Sequence, residues 1–250
     1  MLAKVEYNNK VYKIDLSKPL DISIPLRGEA SNVNAWYLDH PKIEPHQEGG
    51  SVAKVSEGAA INFNDIWFNP HAHGTHTECV GHITEEFHSV NTHLNRYFFA
   101  AELLTIAPEK QGNDFVISKK QLEYVLGQGR RDAIVIRTLP NTKAKLSRQY
   151  SHTNPPYILE EAAKFLFEIG VQHLLIDLPS VDKEKDNGEL LAHKAFWNFN
   201  GALRKSATIT ELIFVPNHIQ DGKYFLNLQV APFVNDASPS RPVLFEVEEV

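Results

Sequence analysis

Cysteine is almost absent from this chain of 250 residues, which contains only Cys79. A single cysteine excludes an internal disulfide framework and is typical of proteins that work in a reducing compartment. Long hydrophobic runs are missing too, since no stretch approaches the roughly 20 apolar residues of a membrane span. The first residues include lysine and glutamate where a secretory signal needs an apolar core. We therefore expect a cytoplasmic protein with no membrane partner.

Basic residues are too few to favour a nucleic-acid partner. The chain has 25 lysines and arginines against 31 aspartates and glutamates, a formal net charge of −6. Phosphate binding needs a concentration of positive charge that this balance does not supply. Internal repeats, low-complexity segments and linkers are also missing, so one domain over residues 1–250 is expected. A small molecule is the expected binding partner.

Strand and helix patterns alternate along most of the chain, which predicts a mixed α/β fold. The expected strands are a hairpin at 5–16, then 59–66, 103–106, 133–137, 173–176, 208–214, 225–230 and 243–247. The expected helices are 119–126, started by Ser118 and stopped by Gly127, then 158–169 and 189–199. Residues 27–52 are polar and irregular. The β-branched run at 133–137 predicts a strand covered on both faces, and the order strand, helix, strand over 133–176 predicts a parallel unit.

Histidine is concentrated in one place. Residues 71–82 read His-Ala-His-Gly-Thr-His-Thr-Glu-Cys-Val-Gly-His, and half of the twelve histidines lie between positions 71 and 93. Neutral imidazole is the commonest protein ligand for transition metals, and a neighbouring carboxylate stabilises a dication further. The stretch follows the predicted strand at 59–66. It therefore indicates a metal site.

The same stretch resembles the cyclase family of metal-dependent hydrolases, which includes bacterial kynurenine formamidases and isatin hydrolases. The pattern of that family is His-x-Gly-Thr-His-x-Asp-x-Pro-x-His. Gly74-Thr75-His76 matches its centre and His82 matches its last histidine. Four further blocks keep the family order: residues 15–20 (Asp-Leu-Ser-Lys-Pro-Leu), residues 177–180 (Asp-Leu-Pro-Ser), His193, and residues 209–212 (Ile-Thr-Glu-Leu).

The sequence departs from that pattern at several positions. Ala72 stands where the family has its first histidine, and His71 lies one residue earlier, so His71 serves only if the strand bulges and His73 points elsewhere. The aspartate of the family is Glu78 here, and its proline is Val80. The spacing from His193 to Glu211 is also several residues longer. These departures bear on metal identity, metal number and substrate.

The resemblance implies a ligand set and a chemistry. His71, His76 and Glu78 would bind one divalent metal, and Glu78, His193 and Glu211 would help to bind a second, with Glu78 bridging. Zinc or manganese would be the metal, as one or two ions. Metal-activated water would attack a small amide, formamide or cyclic amide, and His82 would carry the proton to the leaving nitrogen.

By the same resemblance, the fold would be the swivelling β/β/α arrangement of the family, with mixed sheets and flanking helices. The enzyme would be a homodimer or homotetramer. Aromatic residues at four positions are candidates for a slot that holds a ring of the substrate, or else for core or interface positions: Trp36, Tyr37, Trp67 and Phe68.

Two other interpretations of the histidine stretch remain open at this stage. His71-x-His73 followed by Glu78 fits half of a cupin metal motif and would imply a β-barrel, although Glu85 replaces the expected glycine. Alternatively, the chain keeps the cyclase-like fold with a degraded site and binds a small molecule or a protein without turnover. A hydrolase needs His71, His76 and Glu78 to converge on one point, whereas a binder does not.

Cys79 lies inside the motif and is a candidate nucleophile or packing residue. Alternation along an extended segment points its side chain away from the face that carries Glu78. A catalytic cysteine needs a partner base and a lowered pKa. We therefore expect packing to be its role.

Overall fold

The computed structural model describes residues 1–126 and 131–250 of the chain. Its strands in chain order are β1 Leu2–Tyr7, β2 Lys10–Asp15, β3 Leu20–Asp21, β4 Lys42–Pro45, β5 Gln47–Glu48, β6 Ser51–Val52, β7 Asn64–Trp67, β8 His76–Glu78, β9 Phe98–Ile106, β10 Glu109–Gln111, β11 Asp114–Ile117, β12 Ala133–Thr138, β13 Tyr157–Ile158, β14 His173–Ile176, β15 Thr208–Glu211, β16 Gly222–Asn227, β17 Ala237–Pro239 and β18 Val243–Glu249. Its α-helices are α1 Pro70–His73, α2 Val90–His93, α3 Lys119–Val125, α4 Glu160–Glu168 and α5 Leu191–Phe196. Short 3-10 turns cover Val55–Glu57, Val80–His82 and Lys143–Leu146. Within the two described ranges, no helix combines the length and the apolar character that a membrane crossing requires.

A large mixed sheet organises the molecule, in the order β1-β2-β18-β16-β9-β12-β14-β15-β8-β17, with β3 beside β18. Its neighbouring strands β9, β12, β14 and β15 are parallel. The strands on either side pair antiparallel, among them β8, which lies between β15 and β17. The expected mixed α/β fold is confirmed. The cupin interpretation is wrong, because parallel strands joined through helices form the middle of this sheet.

Strand β12 shows why the middle of the sheet is apolar on both faces. All six of its residues are buried. Ile134 and Ile136 join a core that also contains residues of α3, α4 and α5, whereas Ala133 and Val135 join a second core. Alternate residues of a strand point to opposite faces, so one β-branched run supplies both cores. Burial of each such valine or isoleucine contributes about 1.5–3 kcal/mol. The prediction of a strand covered on both faces is confirmed.

The connection from β12 to β14 passes through α4, and the two strands are parallel as predicted. The helix begins later than expected, at Glu160, because Ile158 pairs with Ile117 in the small sheet of β10, β11 and β13. Its buried face is Ala162, Ala163 and Leu166. Gly170 follows the helix with a φ of 82°. A left-handed glycine at this place is a common way to end a helix.

The N-terminal hairpin and α3 are also confirmed. Strands β1 and β2 pair antiparallel around Asn8 and Asn9, both in the left-handed region that asparagine tolerates. Ser118 caps α3 and forms a reciprocal capping box with Gln121. The expected stop at Gly127 lies outside the described residues.

Most of the remaining elements are present with shifted bounds. The helix expected at 189–199 is shorter, Leu191–Phe196, and the strand expected at 208–214 ends at Glu211. Leu212 then leaves the strand with a φ of 53°. The strands expected at 103–106, 173–176, 225–230 and 243–247 correspond to β9, β14, β16 and β18.

The prediction for residues 59–66 is largely wrong. A strand begins only at Asn64 and pairs with β4 in a two-stranded ribbon. Ile61, Phe63 and Ile66 are 62%, 56% and 59% exposed rather than buried on one face. A two-stranded ribbon gives a side chain no opposite layer to pack against. The polar segment at 27–52, in turn, contains β4, β5 and β6.

Candidate metal centre

The first histidine of the motif lies on α1, a single helical turn. Pro70 opens the turn, and the side chain of Asn69 accepts a hydrogen bond from the backbone N–H of His71 at 2.9 Å. Proline at the first helical position and asparagine as N-cap are both favourable helix starts. On this turn Ala72 is fully buried and His71 is half-buried. The expected strand bulge at His71 is therefore wrong, and a helical turn presents the histidine instead.

His73 stands on the same turn but uses both ring nitrogens elsewhere. Its Nδ1 accepts a hydrogen bond from the backbone N–H of Asn69 at 2.8 Å, and its Nε2 donates to the carbonyl of Asp39 at 2.9 Å. Burial lowers the pKa of His73, which keeps the ring neutral. His73 therefore fastens the turn to the preceding loop and offers no nitrogen to a metal.

Strand β8 carries the next two motif residues on one face. His76 lies opposite Glu211 of β15, and Glu78 lies two residues further along the same strand. The side chain between them, Thr77, contacts Thr210 on the other face at 2.8 Å between hydroxyls. Because alternate residues share a face, His76 and Glu78 point into the same space. Both are fully buried there.

The three residues predicted for the first metal converge. One ligand atom from each of His71, His76 and Glu78 lies within 4.8 Å of the others. His71 Nδ1 is 3.2 Å from Glu78 Oε2, and His76 Nε2 is 3.5 Å from Glu211 Oε2. A single ion at the centre of such a set would meet two imidazoles and a carboxylate.

The residues predicted for the second metal also meet in part. His193 Nε2 lies 3.0 Å from Glu78 Oε1 and 3.8 Å from Glu211 Oε1. A ligand atom from each of Glu78, His82 and His193 lies within 4.8 Å of the others. The geometry thus places His82 beside Glu78 and His193, as a neighbour of the predicted ligands.

Two buried atoms test whether a metal fits here. Within the described residues, His76 Nε2 and Glu78 Oε2 are shielded from solvent and form no well-aligned hydrogen bond, although His71 Nδ1 lies 3.2 Å from Glu78 Oε2. A buried polar atom without a partner costs about 1–3 kcal/mol, and more when it is charged. Both atoms belong to the convergent set, and both belong to ligand types that divalent metals accept. The residues present therefore fit a divalent metal.

The Glu78 carboxylate is surrounded by histidines, and these groups shift the pKa values of one another. Burial alone would raise the pKa of Glu78, but His82, His193 and His71 lower it well below its usual range. Burial would likewise lower the pKa of His71, but Asp236 and Glu78 raise it to about 10. The carboxylate is thus held in the ionised form that a metal ligand requires.

Asp182 orients His193, and the sequence reasoning missed it. Its Oδ2 lies 2.5 Å from His193 Nδ1, and its Oδ1 accepts from the backbone N–H of Ala192 at 2.7 Å at the start of α5. A carboxylate that holds one nitrogen of a histidine directs the other nitrogen, here Nε2, toward the ligand site. The only signal in the sequence was its position two residues after Ser180, the last residue of a matched block.

Asp236 was also missed, and it stands at the outer side of the cluster. Its Oδ2 lies 3.0 Å from His71 Nε2 and 3.3 Å from His82 Nδ1. His71 and Asp236 are 165 positions apart in the sequence, so no local spacing could have indicated the pair. His82 itself is partly exposed, with its ring centroid 4.4 Å from that of His71.

Two other residues of the matched segments, Asp177 and Cys79, are buried and form contacts with neighbouring groups of the fold. Asp177 is buried at the end of β14, where Lys145 Nζ donates to it at 2.7 Å and Thr138 Oγ1 donates at 2.8 Å. Cys79 is fully buried, with its pKa raised to about 11 by burial, and its thiol contacts the carbonyl of His88 at 3.3 Å. These surroundings support packing as the role of Cys79.

The four aromatic candidates lie in different surroundings. Trp36 Nε1 donates to the carbonyl of His71 at 3.1 Å, which ties it to α1. The ring of Phe68 stacks with that of Phe233 at 6.1 Å between centroids. Tyr37 and Trp67 are about half exposed, at 49% and 47%. The ring of Trp67 also contacts α1, with its centroid 5.5 Å from that of His73, so Trp36, Trp67 and Phe68 all lie near the segments that carry His71 and Asp236.

Comparison with known proteins gives independent evidence on the family to which the chain belongs. A sequence profile of the Cyclase family matches residues 14–183. The kynurenine formamidase of Geobacillus thermodenitrificans (strain NG80-2) is 31% identical over 234 residues, which cover 92% of this chain and 96% of that protein.

Solved structures show the same fold at lower identity. A structure described as a "potential metal-dependent hydrolase with cyclase activity" has a TM-score of 0.67 and 19% identity, and the match covers 92% of this chain and 98% of the other. Isatin hydrolase A from Labrenzia aggregata, bound to benzyl benzoate, has a TM-score of 0.67 and 14% identity, with 92% and 94% covered.

Proposed function

The chain belongs to the Cyclase family, and from this premise we propose that it is a metal-dependent amidohydrolase. Its substrate is a small amide, formamide or cyclic amide, and the bond that breaks is a C–N bond. The observation that carries the proposal is the convergence of His71, His76 and Glu78 within 4.8 Å. A metal-dependent hydrolase needs this convergence, whereas a non-catalytic binder on the same fold does not need it.

The proposed ligands divide into two sets that share one carboxylate. His71, His76 and Glu78 would hold the first ion. Glu78, His193 and Glu211 would help to hold a second, so that Glu78 would serve both sets. Zinc or manganese is the proposed metal, because imidazole with carboxylate suits both. Support comes from the buried atoms His76 Nε2 and Glu78 Oε2, which form no well-aligned hydrogen bond among the described residues.

A divalent cation held by these residues would supply a water of lowered pKa and would polarise the carbonyl of the substrate. Hydrolysis adds the oxygen of water to the carbonyl carbon, breaks the C–N bond and moves one proton to the leaving nitrogen. His82 carries this proton. Its ring is partly exposed beside the cluster, and Asp236 lies 3.3 Å from its Nδ1, which leaves Nε2 to face the leaving group.

The proposed substrate class rests on the relatives and on the aromatic rings of Phe68 and Phe233. The curated relative is a kynurenine formamidase and one structural neighbour is an isatin hydrolase, so we propose an N-aryl formamide or a cyclic aryl amide. The Phe68 and Phe233 rings, which stack near the segments of His71 and Asp236, offer an apolar surface to such a ring. We also propose that the enzyme is a homodimer or homotetramer.

The test begins with the metal. Purified protein should contain one or two equivalents of a divalent metal per chain by elemental analysis, removable by a chelator, and should hydrolyse formanilide-type substrates only with metal. His76→Ala and Glu78→Ala should each lose metal and activity while remaining folded by circular dichroism. His218→Ala, which removes an exposed histidine elsewhere, is the matched control. Full metal content in the first two variants would refute the assignment.

A further inference from the structure

Asp236 occupies a position that the family pattern does not explain. It precedes β17 and lies beside β8, where its backbone carbonyl accepts a hydrogen bond from the N–H of Cys79 at 3.0 Å. The neighbouring carbonyl of Asn235 accepts from Val90 N–H at 2.9 Å. These two hydrogen bonds fix the main chain from which the Asp236 side chain projects.

One oxygen of this carboxylate meets two histidines with different proposed tasks. Asp236 Oδ2 is 3.0 Å from Nε2 of His71 and 3.3 Å from Nδ1 of His82. The other ring nitrogen of His71, Nδ1, faces Glu78 at 3.2 Å. His71 is thus held between a carboxylate inside the cluster and a carboxylate outside it.

We propose that Asp236 is a positioning residue that holds the metal ligand His71 and the proton carrier His82 in one fixed arrangement. The inference rests on the proposed function. With Nε2–H of His71 donated to Asp236, Nδ1 is left as the nitrogen that faces the metal, and a carboxylate partner also increases its basicity. The same oxygen accepts from Nδ1–H of His82, which fixes the tautomer of that ring.

A direct ligand role for Asp236 is the competing explanation, since His71, His82 and Asp236 also offer three atoms within 4.8 Å. An ion there would occupy the outer side of the cluster. It would leave the deeper atoms His76 Nε2 and Glu78 Oε2, both buried, without the well-aligned partner that they lack among the described residues. Burial therefore favours the inner set as the ligands and Asp236 as their support.

The experiment compares Asp236→Asn and Asp236→Glu with Asp65→Asn. Asp65 is a matched control because it too pairs with a histidine, His46 Nδ1 at 2.8 Å, on an exposed ribbon. Zinc affinity of the metal-free proteins is measured by competition with a chromogenic chelator. Turnover of an N-aryl formamide is measured at saturating zinc, and metal content is measured by elemental analysis.

Asp236→Asn should weaken zinc binding about 10–100-fold at unchanged stoichiometry, as loss of a carboxylate partner of a ligand does. At saturating zinc, its kcat should still fall about 100-fold while KM changes little, because His82 has lost its orientation. Asp236→Glu should recover part of both losses, and Asp65→Asn should change neither. Wild-type affinity and kcat in Asp236→Asn would overturn the proposal. Loss of one whole equivalent of metal would overturn it in favour of a ligand role.

A failure of the proposed function gives a different result. If the wild-type protein binds zinc without hydrolysing any amide, the affinity measurement still decides the role of Asp236 toward His71. If it binds no metal, side-chain ¹H–¹⁵N spectra of the metal-free protein decide. The imidazole resonances of His71 and His82 should shift in Asp236→Asn and not in Asp65→Asn. Unchanged resonances would overturn the proposal.

Discussion

At the scale of single residues, two departures from the family pattern have a physical explanation. Ala72 stands where a histidine is expected, but α1 turns that position into the core and brings His71 to Glu78 at 3.2 Å. Glu78 is one methylene longer than aspartate, and it reaches both His71 and His193. The local backbone of α1 and the longer side chain of Glu78 together bring imidazole and carboxylate groups to one place.

Cys79 provides a prediction at this scale. Cys79→Ala should keep kcat within about twofold of the wild type, because the thiol is buried and its pKa is raised to about 11. The free energy of unfolding should fall by about 1 kcal/mol through the small cavity. Steady-state kinetics and urea unfolding check both values. A loss of several orders of magnitude in kcat would make Cys79 a nucleophile instead.

At the scale of elements, the decisive one is α1, a helix of only four residues. The four residues of α1 cannot be stable alone, since a nucleating turn costs more conformational entropy than one hydrogen bond returns. The Asn69 cap, Pro70 and the two bonds of His73 hold it in place. The position of His71 therefore depends on the cap.

We predict that Asn69→Ala weakens metal binding several-fold and lowers the free energy of unfolding by about 1 kcal/mol, the usual value of a cap. The matched control is Ser118→Ala, which removes the cap of α3, a helix that carries none of the proposed ligands. It should cost similar stability and leave metal affinity unchanged. Chelator competition and urea unfolding measure the two quantities. Equal effects of both variants on metal affinity would contradict a local role for α1.

At the scale of the whole molecule, the sheet order assembles the site. Strand β8 lies between β15 and β17, so residues 76–78 pair with residues 209–211 on one side and 237–239 on the other. Asp236 immediately precedes the second of these segments. The parallel strands and their two cores hold these elements rigidly. His173 of β14 is also buried, and its Nδ1 contacts Thr208 Oγ1 at 2.8 Å.

His173 leads to a prediction on pH and global stability. Burial, followed by Arg204 and Arg96, lowers its pKa to about 3 in the folded state, against 6.5 for an unburied histidine. A depressed pKa means that the unfolded chain binds the proton first. The stability from this group is therefore complete above pH 6.5 and is lost as pH falls toward 3.

The free energy of unfolding of metal-free wild-type protein should fall between pH 7 and 4.5 by about 2–3 kcal/mol more than that of His173→Asn, at about 1.4 kcal/mol per pH unit. Urea unfolding in the presence of a chelator measures the difference. His218→Asn, at an exposed histidine, should show the wild-type slope. Identical slopes in all three proteins would show that His173 does not titrate in this way.

The sequence predicted the elements with strong local patterns. The buried run at 133–137, the capped helix after Ser118 and the asparagine hairpin turn are all present. It failed at 59–66, where Ile61 and Phe63 are exposed. Apolar alternation indicates a strand only if another layer covers it, and a local pattern carries no information about that layer.

The sequence by itself determined the family and the mixed α/β fold and indicated a histidine-rich candidate metal site, because these depend on residue types at fixed local spacing. Only the tertiary structure decided which nitrogen of which histidine is available. His73 lies two residues from His71, yet both of its ring nitrogens form hydrogen bonds to backbone groups. Asp182 contacts His193, and Asp236 contacts His71 and His82, and both aspartates belong to segments distant from the motif in sequence. The direction of a side chain depends on backbone dihedrals and on partners far along the chain, and neither is encoded in a short motif.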